Sequence, residues 1–158
     1  MRLRISYTRD VTAGSAARTN TTDEFFIDAP SDLVYDELVS PERIAAWWPG
    51  ARVAGSVGRI GLRAPAAGAL SRAFFFEARV EGLRPGEGFT WWLERGELEG
   101  RAEWWLEKFR AGTIVHYYLD VARGDRGGFR PLSSAVRRHR FAVRRGVNAL
   151  KDRLEGRT

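Results

Sequence analysis

The stretch LEGRAEWWLEKFRAGTIVHYYLDV, residues 98–121, alternates apolar and polar side chains and breaks once, at Arg110-Ala111. Alternation with a period of two is the signature of a strand with one buried face, and Arg-Ala-Gly is turn material. With residues 110 and 111 as the turn, Trp104 faces Tyr117, Ala102 faces Leu119 and Leu106 faces Val115. Because successive strand side chains point to opposite faces, Trp104 goes inward with Tyr117 while Trp105 goes outward with His116.

The flanking segments extend the same pattern. FTWWLE (89–94) and AFFFEARVEGL (73–83) read as strands, as does VGRIGLR (57–63). A four-residue RPGE turn pairs Val80 with Trp91 and Ala78 with Leu93, and a two-residue Arg95-Gly96 turn places Trp91 opposite Gly100. The short links predict an antiparallel meander. The three hairpins then agree on one apolar face containing Phe74, Phe76, Trp91, Trp104 and Tyr117. The other face carries Glu77, Arg79, Glu103, His116 and Asp120. Agreement among independent turns is a consistency test on the register. It also sorts four of the six tryptophans, which all occur in adjacent pairs: Trp91 and Trp104 inward, Trp92 and Trp105 outward.

On the N-terminal side, DEFFIDAP (23–30) reads as a strand ended by proline. SDLVYDELV (31–39) and SPERIAAWW (40–48) follow as two short helices. Ser40 as N-cap, Pro41 at the first position and Glu42 in the first turn open the second. There Ile44, Trp47 and Trp48 share one stripe that must be buried. On the C-terminal side, residues 131–155 form a helix whose stripe is Leu132, Val136, His139, Val143, Val147, Leu150 and Leu154. At 1.5 Å per residue it is roughly 38 Å long, against an expected radius of gyration of about 15 Å. A helix that spans the domain and faces a curved sheet can enclose a pocket with it.

The 158 residues suit one domain, read as a loosely ordered leader over 1–20 and a single unit over 21–158. The absence of cysteine excludes disulfides, zinc–thiolate sites and thiol nucleophiles. No apolar run approaches the ~20 residues of a membrane span, and the first residues lack the apolar core of a signal peptide, so a cytoplasmic location is expected. The net charge is +6, with all basic residues arginine except Lys108 and Lys151. Nucleic acid ranks last among partners, since the arginines flank a helix without a recognition motif. No metal cluster, phosphate loop or serine–histidine–acid set is visible, and no metal or cofactor is expected.

In order of elements the chain resembles the START-related helix-grip superfamily, also called polyketide cyclase/dehydrase and lipid transport (SRPBCC), and its bacterial members in particular. The resemblance is carried by FFIDAPSDLVYDELVSPERIAAWWPG (25–50), by residues 98–121, and by HRFAVRRGVNALKDRL (139–154), covering about residues 22–156. It implies an α+β helix-grip fold: a curved antiparallel sheet of about six to seven strands wrapped around the long C-terminal helix, with two short helices after the first strand. It further implies that those short helices plug one end of the grip, with Trp48 at the pocket mouth. LRAPAAGALSRAF (62–74) departs from the more polar, aromatic-rich sequence of bacterial relatives and bears on the entrance around residues 64–71.

The function expected is binding of a small hydrophobic molecule, lipid-like or polyketide/aromatic, as carrier or sensor. The expected lining is Trp48, Phe76, Trp91, Trp104, Tyr117, Val136, His139 and Val143, because an apolar pocket with few polar groups is what small-molecule sites look like. The alternative is an aromatase/cyclase-type enzyme, in which His139 exchanges the proton and Tyr117 stabilises an enolate. His139 also has a plain reading, as a satisfied core histidine. Outward Trp92 and Trp105 would mark a homodimer interface.

Overall fold

A computed structural model describes residues 17–66 and 73–157. Strand β1 (Arg18–Ile27) leads into α1 (Ser31–Val39) and α2 (Pro41–Trp47). Six strands follow: β2 (Arg52–Ser56), β3 (Arg59–Ala64), β4 (Phe74–Arg84), β5 (Gly88–Gly96), β6 (Leu98–Phe109) and β7 (Gly112–Arg123). Helix α3 (Leu132–Leu154) comes last. All seven strands form one antiparallel sheet in the order β1-β7-β6-β5-β4-β3-β2. This is the α+β helix-grip architecture. The expected leader lies outside the described residues up to residue 16, and β1 opens at Arg18. The small-residue loop at 64–71 lies outside them from residue 67.

Two of the three expected hairpin registers are observed: Trp104 pairs with Tyr117, and Val80 with Trp91. The third is displaced by two residues. Trp91 pairs with Ala102, and Leu93 with Gly100. The physical reason is at the apex, which does not close on itself as an Arg95-Gly96 turn. Instead the Gly96 carbonyl accepts from the Arg126 N–H, the Glu97 carbonyl from the Gly124 N–H, and the Gly96 N–H donates to Asp125. Gly100 therefore does not make room for the Trp91 indole. Its φ of +138° brings it against the Asp120 carbonyl of β7, where a Cβ would collide. A shift of two leaves every side chain on its face, so the inward and outward sorting survives.

The inward face is buried from Phe74 through Val121, Val80 alone being half-buried. Irregularities in the β4–β5 ladder at Glu77/Ala78 and Glu81/Arg84 bend the sheet around α3. Helices α1 and α2 close one end. Ser40 caps α2 by accepting from the Arg43 N–H at 3.3 Å, and Trp47 Nε1 donates to the Glu37 carbonyl at 3.1 Å. Trp47 and Trp48 stack at 5.6 Å between ring centroids. The Trp48 indole lies directly on Gly146 of α3, where a Cβ would come within 2.6 Å of the ring. That contact explains a glycine in the middle of a helix. It is a cost of about 1 kcal/mol in helix propensity, offset by close approach of an indole.

Candidate functional site

His139 meets Tyr117 at the centre of the grip. Tyr117 Oη and His139 Nε2 are 2.7 Å apart, both side chains buried. The pairing follows from register: Tyr117 is inward on β7, and His139 is on the α3 stripe that crosses it. Around the pair the rings form a continuous cluster. Phe74 stands edge-on to His139 at 4.5 Å, Trp104 lies 4.4 Å from Tyr117, Trp91 5.3 Å from Trp104, and Phe76 5.0 Å from Trp91.

Burial lowers the His139 pKa to about 3, only partly opposed by the charge of Asp23. Burial also raises the Tyr117 phenol well above its ordinary value. Both are neutral near pH 7. We assign the tautomer in which the phenol donates to Nε2, because the reverse bond would leave the phenol proton without an acceptor; the single imidazole proton then lies on Nδ1. That Nδ1–H has no partner, and neither does the Trp104 Nε1–H. A buried donor left unpaired costs about 1–3 kcal/mol, so two of them in one aromatic cluster are unusual for a finished core.

Of the eight expected lining residues, Phe76, Trp91, Trp104, Tyr117 and His139 are joined by ring contacts in this cluster, and Trp48, Val136 and Val143 belong to the same continuous core. Val136 sits one turn of α3 outward, bordering a surface cleft with Thr19, Leu132 and Arg140. Trp48 lies at the other end, on Gly146. Phe74, the ring nearest His139, was grouped with the apolar face but not with the site. Asp23 was also missed. It sits on β1 opposite Tyr117 and takes two hydrogen bonds from Arg140, at 2.8 and 2.9 Å, and one from Arg144. Those bonds, the Arg140 one foremost, hold its carboxyl below the usual range. Nothing in the local pattern of β1 signals that pairing, which depends on α3 more than a hundred residues away.

Arg138, one of the arginines flanking the α3 stripe, is buried and paired with both oxygens of Glu97 at 3.2 Å. Beyond it lies a cleft of about 640 Å³, lined by Arg63, Phe75, Glu97, Arg126, Phe129 and Arg130 among others. On the outward sheet face, arginines cover two rings: Arg79 stands over Trp92, one of the two expected outward tryptophans, and Arg63 over Phe75. Trp105 is 56% exposed. Among the described residues no group of three or more His, Asp or Glu is placed to hold a metal ion, and no helix is long and apolar enough to cross a membrane.

No family model matches the chain, and no curated protein does. Solved structures do. Ara h 8.0201 superposes with a TM-score of 0.68 at 12% identity, over 89% of this chain and 99% of its own. A START superfamily protein from Mycobacterium smegmatis gives 0.67 at 12%, over 87% and 97%. The Aha1 dimer from Colwellia psychrerythraea gives 0.58 at 19%, over 87% and 96%. At such identities the likeness is one of fold: the chain has the START-type helix-grip fold.

Proposed function

We propose that the protein binds a small, largely apolar molecule bearing an oxygen acceptor, between sheet and α3, and acts as a carrier or sensor in the cytoplasm. The observation that supports this reading is the pair of unpartnered donors, His139 Nδ1–H and Trp104 Nε1–H, within a fully buried aromatic cluster. A carbonyl or ether oxygen would satisfy either donor, and the rings would take the apolar body. The rings are in mutual contact, so binding requires Phe74 or Phe76 to rotate away from His139. The test is tryptophan fluorescence titration with 2-acetylnaphthalene against 2-ethylnaphthalene. The ketone should bind about tenfold tighter, and Trp104→Phe combined with His139→Leu, which removes both donors, should erase the preference while preserving binding of the hydrocarbon. Equal affinities in the wild type would sink the reading.

The alternative, an aromatase/cyclase-type enzyme, is favoured by one observation: its two expected residues are hydrogen-bonded to each other. Against it, an imidazole with a pKa of about 3 is a weak base at neutral pH. Turnover of a poly-ketone substrate that vanished in both His139→Ala and Tyr117→Phe, with binding intact, would reverse the ranking. A homodimer through Trp105 and Trp92 belongs to the same proposal. Support comes from the exposure of Trp105 and from the dimeric state named for the Colwellia structure.

A further inference from the structure

The cleft beyond Arg138 has a charge that the interior lacks. Three guanidinium groups line it, on Arg63, Arg126 and Arg130, against one carboxylate, Glu97. Glu97 is already held by Arg138 through both oxygens and approached by Arg130 at 3.9 Å, so its charge is spent. Arg63 has no carboxylate within 4 Å among the described residues, and Arg126 reaches only Asp125, at 4.0 Å. Both stand over the Phe75 ring, at 4.9 and 6.0 Å from its centroid. Such stacking fixes two planar forks beside an apolar surface, a geometry suited to carboxylate or phosphate oxygens. α3 begins here with no acid in its first turn, so nothing on the helix offsets the arginines.

The cleft adjoins the aromatic cluster. Ala73 lines it, and the next residue, Phe74, turns inward onto His139. Ser134 of α3 also lines it, five residues before His139, which is about 7.5 Å along the helix. Resting on the binding reading above, we infer that the ligand is an amphipathic acid. Its carboxylate or phosphate is held by Arg63 and Arg126 in this cleft, and its apolar body, with the oxygen acceptor, extends past Phe74 to His139 and Trp104.

The test compares 6-acetyl-2-naphthoate with 2-acetylnaphthalene, which differ only by the carboxylate, and with inorganic phosphate. The acid should bind at least tenfold tighter than the ketone. That advantage should shrink at high salt, and it should disappear in Arg63→Gln/Arg126→Gln while ketone binding is unchanged. Both arginines are exposed, so the variant should fold; Arg153→Gln, at the far end of α3, serves as the charge control and should keep the advantage. If acid and ketone bind equally, or if the double variant keeps the preference, the anionic assignment falls while the interior reading stands. Phosphate binding as tight as that of the acid would make the cleft a plain oxyanion site and overturn the amphiphile. If neither aromatic binds, both readings fall together.

Discussion

The two halves of α3 face the same sheet in opposite ways. Its C-terminal half buries Val147 and Leu150 completely and admits the Trp48 indole against the bare backbone of Gly146. Its N-terminal half presents His139, Arg138 and Arg140, each committed to a polar partner on the sheet or its loops: Tyr117, Glu97 and Asp23. One half is an ordinary close-packed core. The other is a set of polar pairings threaded between rings, with donors left over. The comparison teaches that a continuous apolar stripe in sequence need not mean a uniform core, because one polar residue on it reorganises the sheet face it meets.

Substitutions should separate the halves. The largest effect is expected for Trp48→Ala, at about 3–5 kcal/mol of unfolding free energy, since a large ring is removed from a site the backbone cannot collapse into. Gly146→Val alone should cost about 2 kcal/mol by overpacking and markedly less when combined with Trp48→Ala, because the clash is with that ring. Additive losses in urea titrations would show that the contact is not what couples them.

In the N-terminal half the expected signature is a pH dependence. His139 has a folded pKa of about 3 against an ordinary 6.5. Above pH 6.5 the imidazole is neutral in both states and its contribution is fully present. As pH falls below 6.5 the unfolded chain takes up the proton first, so stability declines toward pH 3, by up to ~1.4 kcal/mol per pH unit. Asp23, with its lowered pKa, adds to the loss only below its ordinary carboxylate range. His139→Leu should flatten the curve between pH 6.5 and 5; a slope unchanged in that variant would move the proton elsewhere.

Much of this contrast was open to a reader of the sequence alone. The sheet faces follow from period-two alternation and the α3 stripe from its spacing, which puts Tyr117 and His139 on surfaces that face inward; that their polar atoms meet at 2.7 Å depends on how helix and sheet pack, which the sequence does not show. What was not legible depends on contacts between distant segments. The β5–β6 register turned on the Gly96–Glu97 apex bonding to residues 124–126, which no hairpin rule contains. The partners of Arg138 and Asp23 lie on other elements, so nothing in their local sequence signals either pairing. The packing of the Trp48 indole on Gly146 joins α2 to α3 across the length of the chain, and no local pattern signals it.

Smaller effects sharpen the same comparison. Tyr117→Phe should cost about 1–2 kcal/mol, because it strands the His139 Nε2 acceptor in an apolar site. Tyr117→Phe combined with His139→Leu should recover most of that loss, since a fully apolar pair leaves neither Nε2 nor the phenol stranded. Double-mutant chemical denaturation reads this directly, and a double variant worse than Tyr117→Phe would mean that the pair has further partners. Smallest of all, Trp105→Arg on the outward face should change stability by no more than about 0.5 kcal/mol. If Trp105 forms a homodimer interface, the same change should convert a dimer to a monomer in sedimentation; a monomeric wild type would remove that interface.

The neighbour relation of β1 and β7 has a consequence in time. β1 ends at Ile27, and the strand that must pair with it begins at Gly112. During synthesis at about 5–20 residues per second, a strand carrying Phe25, Phe26 and Ile27 waits on the order of 5–15 s for its partner to be made. Through that interval its edge lacks the strand it pairs with in the folded sheet. The last hydrogen-bonded ladder to close is therefore the one that holds the first strand.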